Sequence, residues 1–262
     1  MPKQYPALFI SHGAPDLILH ASPAREFLTG LGSKIGQPRA IVVASAHYDQ
    51  GPAPHITGCP TPRTIHDFGG FDPRLYQMRY RAPGAPALAA EMVERFKLRG
   101  LTATLDTTWG LDHGAWIPLM LMYPEATIPV LELSISGTAG PLYHLELGRA
   151  ITDLRSEEIL LIGSGGFTHN LSRMAPPRDN TAAPAWATRF AGWTTERLLE
   201  GDEAALLDYR ARAPNARENH PSDEHFMPLY VVMGAAGAGW HAEQLHTSVT
   251  YGSVRMDSFA FN

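Results

Sequence analysis

The chain has 262 residues, 44% hydrophobic and 18% charged, a balance that excludes an intrinsically disordered protein and suffices for a core without disulfides or structural metal. A formal net charge of −5 with no dense Lys/Arg run argues against a nucleic-acid partner, and the single cysteine, Cys59, excludes an intramolecular disulfide and a cysteine-rich zinc site. No apolar stretch reaches the ~18 residues of a membrane span and no leader pattern is visible, so a soluble, cytoplasmic protein without a membrane partner is expected.

Pro6–Ile10 is a short apolar run that reads as a buried strand passing into Ser11-His12-Gly13. A helical pattern follows at Pro23–Leu31, with Ser22 as N-cap and Pro23 at the first helical position. Ala40–Ala46 is β-branched and continuous, as in a strand covered on both faces, and it ends at His47. Strand, helix and strand together suggest a βαβ unit with a right-handed crossover.

Residues 51–84 are rich in Pro and Gly and form a long loop carrying Ile65-His66-Asp67-Phe68-Gly69-Gly70-Phe71, the kind of segment that builds a pocket wall. Pro86–Leu98 is a helix stopped by Gly100, Thr102–Leu105 a short strand, and Asp112-His113-Gly114 precedes the helical Ala115–Met122. Ile128–Ser134 and Ile159–Gly163 read as buried strands separated by a helix over Leu142–Leu154, and the second runs into Gly163–Asn170. Helices over Pro184–Glu200 and Glu203–Ala211 come next, then Pro221–His225, the apolar Phe226–Ala235 and a closing strand over Ser253–Phe261. No repeat or linker divides the chain, so one domain over residues 1–262 is expected.

This alternation predicts an α/β fold with a mainly parallel sheet and helices on both faces, whose ligands bind beyond the carboxyl ends of the strands. His12, His47 and His169 all follow predicted strands, which places three of the twelve histidines at one sheet edge. A lone histidine is more often structural than catalytic, and His20, His55, His241 and His246 take that reading, as does His144, whose neighbour Glu146 suggests a solvated helix face. His12 and His47 differ because Ser11, Gly13, Ser45 and Ala46 leave room for a metal to approach the ring. Two neutral imidazoles plus a third side chain make an open site for Fe, Zn, Cu or Ni. The third ligand is Glu224 or His225; adjacent helical residues point ~100° apart, so both cannot face one metal, and the apolar run after them does not choose. His169 follows a Gly-rich turn that exposes it in a cleft. His113 either orients substrate or is held by Asp112. His220 reads as a loop residue, and His66 with Asp67 and Phe68 as part of a substrate wall. The chain contains no G-x-S-x-G elbow, P-loop or H-E-x-x-H, and Gly163-Ser164-Gly165-Gly166 lacks dinucleotide-binding spacing.

With those residues in place, the chain resembles the class III extradiol ring-cleaving dioxygenases, specifically the DOPA 4,5-dioxygenase branch. The resemblance spans almost the whole length and rests on six ordered motifs: Phe9–Pro15, Val43–His47, Ile65–Phe71, Gly110–Trp116, Gly163–Leu171 and Pro221–Leu229. It implies a three-layer α/β/α sandwich with the active site at the carboxyl edge of the strands. It also implies a non-haem Fe(II) enzyme that takes a small catechol, DOPA-like or related, and O₂, and opens the ring beside the diol to a semialdehyde. By the same resemblance His12, His47 and His225 hold the metal, His169 is the acid/base, and His113 places substrate or oxygen. Glu224 then becomes a partner of a ligand imidazole. Tyr48 stands where this family carries Trp, and together with His66 and Phe68 it is expected to contact substrate. Zinc can occupy the same ligands as isolated but has no redox chemistry. A zinc hydrolase using the same histidines is the competing reading. The resident metal, the physiological catechol and the oligomeric state are not specified by the sequence.

Overall fold

The computed structural model describes residues 3–175 and 182–262. In chain order the strands are β1 (Ala7–Ser11), β2 (Ala40–Asp49), β3 (His55–Thr57), β4 (Thr104–Asp106), β5 (Val130–Ile135), β6 (Ile159–Gly165), β7 (Ala242–His246), β8 (Val249–Thr250), β9 (Val254–Arg255) and β10 (Ser258–Phe261). The α-helices are α1 (Pro23–Ile35), α2 (Pro86–Leu98), α3 (His113–Met122), α4 (Gly140–Arg149), α5 (Ala185–Glu200), α6 (Glu203–Leu207), α7 (Tyr209–Arg212), α8 (Ala216–Asn219) and α9 (Met227–Ala236).

The main sheet runs β4-β3-β5-β2-β6-β1-β10-β7. Its centre, β5-β2-β6-β1, is parallel throughout, while β10 and β3 flank it antiparallel. Successive strand residues face opposite sides, and the burial follows that rule. Leu8, Ile10, Ile41, Val43, Leu160 and Ile162 pack with α1 and α3 on one side. Phe9, Val42, Ala44, Leu131, Leu133 and Leu161 pack with α2, α4, α5 and α9 on the other. The result is the three-layer α/β/α sandwich expected from the alternation of elements. Helices α3 and α9 are buried on nearly all sides, which explains why their sequences are apolar without periodicity. Among the described residues no helix is long and apolar enough to cross a membrane.

Several boundaries differ from expectation for local reasons. β2 runs on to Asp49, so His47 lies within the strand rather than after it. The short pieces β3 and β7 were not legible, β3 because three residues are too few to show a period and β7 because an edge strand that is largely half-exposed carries little hydrophobic pattern. The predicted helix over Leu142–Leu154 ends at Arg149 and resumes as a 3₁₀ turn over Thr152–Glu157; the Thr152 hydroxyl donates to the Arg149 carbonyl at the break. The second predicted helix, Glu203–Ala211, is interrupted at Asp208. The closing strand is split into β9 and β10 around Met256 and Asp257.

Candidate active site

The order β2-β6-β1 places three parallel carboxyl ends side by side, with Ser45 opposite Ser164 and Ser11 opposite Gly165. Two strand spacings separate β1 from β2, roughly 10 Å, a gap that two inward-pointing imidazoles close. His12, whose backbone N–H donates to the Gly165 carbonyl, brings its Nε2 within 3.1 Å of His47 Nε2. Helix α3 delivers His113 to the same point. Its N-cap Asp112 accepts from Ala115 N–H, and a Cβ on Gly114 would lie 2.7 Å from Ser45 Oγ and 3.1 Å from the His47 ring, so only glycine lets the helix start this close to β2. His225 enters from the turn before α9, where its carbonyl accepts from Gly166 N–H at 2.9 Å.

His12, His113 and His225 are hydrogen-bonded through Nδ1, and His47 Nδ1 faces a carboxylate. Ser164 Oγ spends its proton on the Gly114 carbonyl and so accepts from His12 Nδ1–H at 3.0 Å, which leaves the His12 Nε2 lone pair free. His113 Nδ1–H donates to Asp67 Oδ2 at 2.8 Å, and His47 Nδ1 lies 3.4 Å from the same oxygen. His225 Nδ1–H donates to Glu224 Oε1 at 3.0 Å. Among the described residues, His225 Nε2 is buried and has no hydrogen-bond partner, an arrangement that costs about 1–3 kcal/mol unless a ligand satisfies it.

Burial, reinforced by the neighbouring imidazoles, holds His12 and His225 well below the ordinary histidine range. Burial and His113 push His47 down to about 3 against the opposing pull of Asp67. The His169 ring is lowered mainly by burial. Burial pushes the Asp67 carboxyl up, but its hydrogen bond to His113 and the charges of His113 and His47 outweigh that effect, and it lies below the usual range. The rings of His12, His47, His169 and His225 are therefore neutral and carry lone pairs. The chemistry suits a cation: His12, His47 and His113 offer nitrogens within 4.8 Å of one another, and the His225 ring centre lies 5.4 Å from His12 and 4.9 Å from His47. An all-nitrogen donor set fits Fe, Zn, Cu or Ni. Beneath α3, buried Glu132 accepts from Asp112 N–H at 2.8 Å and from Trp109 Nε1–H at 3.2 Å. Burial drives the carboxyls of both Glu132 and Asp112 upward.

Above the histidines opens a cavity of about 320 Å³. Its floor is His12, His47, His113, His169 and His225, and its walls include Phe68, Phe71, Leu171, Met174 and Val254. The Phe68 ring stands edge-on to His113, with centroids 5.6 Å apart.

The structure thus brings His12, His47, His113, His169, His225 and Phe68 together, with Glu224 directly behind His225. Two expected substrate contacts fall outside. Tyr48 follows His47 in the strand and so faces the opposite side; its ring stacks on Trp109 and its hydroxyl donates to Asp106 Oδ2 at 2.8 Å. His66 lies behind Phe68, against Tyr76 and Trp116, with Nε2 at 3.1 Å from the Met78 carbonyl. Elsewhere, His144 is buried rather than solvated: its Nε2 accepts from Ser136 N–H and its Nδ1–H donates to the Gly140 carbonyl. His220 is buried too, with Nε2 hydrogen-bonded to the Phe167 carbonyl. The roles of two residues were missed. Asp67, not Asp112, holds the His113 ring, and Ser164 sets the His12 tautomer. Ser164 had no readable signal, because its approach to His12 depends on β6 lying between β1 and β2. Asp67 had none, because the loop around it is aperiodic.

A family model described as "Catalytic LigB subunit of aromatic ring-opening dioxygenase" matches residues 10–261. The chain is 42% identical over 257 residues to a "4,5-DOPA dioxygenase extradiol" of Beta vulgaris, covering 97% of this chain and 95% of the relative. It is 40% identical over 235 residues to a protein of the same description from Escherichia coli K12, covering 88% and 84%. The crystal structure of an uncharacterized protein from Escherichia coli K12 matches with a TM-score of 0.81 at 32% identity, covering 98% of this chain and 99% of that one.

Proposed function

The chain belongs to the LigB family of aromatic ring-opening dioxygenases and is a metal-dependent extradiol ring-cleaving enzyme; we propose that it works as one catalytic domain over residues 1–262, that its metal is Fe(II), held by His12, His47 and His225, and that its substrate is a catechol with a short side chain, such as DOPA. The observation that carries the ligand set is the buried, partnerless Nε2 of His225, aimed from a ring already tethered at Nδ1. Relatives described as DOPA dioxygenases support the substrate class. The zinc-hydrolase reading finds no support among the relatives. Iron kept in the ferrous state suits a reducing compartment, and we place the enzyme in the cytoplasm.

When bound, Fe(II) supplies Lewis acidity and redox chemistry toward the catechol and O₂. The protein supplies the rest. Phe68 and Phe71 flank the aromatic ring and exclude water from it. His113 is fixed by Asp67 with its proton on Nδ1, so its Nε2 accepts a hydrogen bond from a diol hydroxyl. The neutral His169 takes a phenolic proton at Nε2, the ring nitrogen farther from Glu224, and returns it as the ring opens. Both atoms of O₂ enter the product.

The test is anaerobic loading of metal-free protein with Fe(II), followed by a catechol panel in an oxygen electrode. Oxygen uptake with a coloured semialdehyde is expected for the Fe(II) sample and none for a Zn(II) sample. Absence of uptake across the panel, with ester or amide hydrolysis by the Zn(II) sample, would reverse the proposal.

A further inference from the structure

The loop that walls the pocket is zipped to the segment leading into α3. Ile65 N–H donates to the Leu111 carbonyl at 2.7 Å, Leu111 N–H to the Arg63 carbonyl at 2.8 Å, and Trp116 Nε1–H to the Ile65 carbonyl at 2.9 Å. This pairing presents Asp67 to two rings at once. Its Oδ1 accepts the backbone N–H of His113 at 2.9 Å, and its Oδ2 accepts His113 Nδ1–H at 2.8 Å and faces His47 Nδ1 at 3.4 Å. The two imidazole centroids lie 3.9 Å apart. The next residue, Phe68, is the wall that packs against His113.

We infer that Asp67 is a positioning residue that commits His47 and His113 together to the Nδ1–H tautomer, so that one carboxylate sets metal affinity, substrate placement and the aromatic wall. The inference rests on His47 being a metal ligand. An Nδ1–H proton leaves the Nε2 lone pair for a metal on His47 and for a substrate hydroxyl on His113, whereas an Nε2–H ring can do neither. A carboxylate enforces this because it has no proton to offer and presents one oxygen to both Nδ1 atoms. An amide in its place cannot. The His113 backbone N–H requires the amide oxygen at the Oδ1 position, which puts the NH₂ group where Oδ2 now stands. That NH₂ donates to His113 Nδ1, drives the His113 proton to Nε2 and takes from His47 its acceptor.

The experiment compares Asp67→Asn and Asp67→Ala with the unmodified chain by zinc competition against a chromophoric chelator, by catechol KM after Fe(II) loading, and by two-bond ¹H–¹⁵N correlation of the histidine rings. Asp67→Asn should weaken Zn(II) about 10–100-fold, the usual worth of a carboxylate behind a ligand histidine, raise KM, and convert His113 to Nε2–H. Asp67→Ala, which leaves the rings free to choose, should be the milder of the two. A residue that merely stapled the loop predicts the opposite order, since Asn preserves shape and one hydrogen bond. Zinc affinity within twofold of the unmodified chain in Asp67→Asn, or a harsher effect in Asp67→Ala, overturns the inference. Should Asp67→Asn not fold, the unmodified protein decides, because His113 carrying its proton on Nε2 there is equally fatal. His12→Ala is run in parallel: if it binds zinc as tightly as the unmodified chain, the metal-site reading itself fails and the inference falls with it.

Discussion

The rings of His169 and His225 lie stacked, 3.4 Å between centroids and 8° between planes, with their Nδ1 atoms 3.8 Å and 3.0 Å from the same oxygen of Glu224. The proposed acid/base thus rests on the face of a proposed ligand, and one carboxylate stands beside both. Glu224 orients His225 by hydrogen bonding, while its longer approach to His169 leaves that ring free to exchange a proton.

His169→Ala should therefore retain the metal and the catechol and slow turnover by roughly 10²–10⁴-fold, the usual contribution of a positioned acid/base. Metal content, catechol binding and kcat measured on one preparation check this. Loss of metal along with activity makes His169 a ligand, and unchanged kcat makes it structural.

The third ligand is tested by a trio of variants. His225→Ala should lose most of the metal, Glu224→Gln should keep it with about 10–100-fold weaker affinity, and His113→Ala should keep it while raising KM. Elemental analysis after dialysis reads all three. Metal lost in His113→Ala but retained in His225→Ala would assign the site to His12, His47 and His113, whose nitrogens also lie close together.

Gly165 sets the depth to which His225 enters the site. A Cβ there would lie 2.2 Å from the His225 carbonyl oxygen, a backbone atom that cannot swing aside. Gly165→Ala should cost about 1–3 kcal/mol, lower the Tm and weaken zinc binding together. Gly30→Ala, where a Cβ meets nothing within 4 Å in the middle of α1, should instead stabilise by about 0.5–1 kcal/mol. Equal melting temperatures for the two variants would refute the steric argument.

Burial holds His144 down to about 4 from an ordinary 6.5, outweighing the Gly140 carbonyl and Asp49, which act the other way. Above pH 6.5 neither the folded nor the unfolded chain protonates this ring. Between 6.5 and about 4 the unfolded chain takes a proton that the folded one refuses, so stability falls as the pH falls through that window. One such proton contributes up to about 1.4 kcal/mol per pH unit. Urea unfolding from pH 7 to pH 4.5 should show a shallower loss in His144→Gln than in the unmodified protein. Parallel curves would show that His144 does not contribute to the pH dependence.

What the sequence by itself determined is everything carried by local pattern. The apolar runs of β1, β2, β5 and β6, the cap at Ser22 and the alternation of strand and helix predict the sandwich, because burial on a parallel sheet imposes continuous hydrophobic stretches. The same runs predict that His12 and His47 share one edge, since both follow apolar runs that read as parallel strands. Tertiary structure alone decided which atoms meet there. Tyr48 looked like a wall residue beside His47, but strand pleating turns it to the opposite side, toward Trp109. His66 and Asp67 are neighbours in an aperiodic loop, and only the pairing of Ile65 with Leu111 aims the carboxylate, rather than the imidazole, at the site. Ser164 and His12 are 152 positions apart, yet the insertion of β6 between β1 and β2 gives them a hydrogen bond. Strand order and loop direction are set by the summed packing of distant segments, and no window of sequence contains that sum.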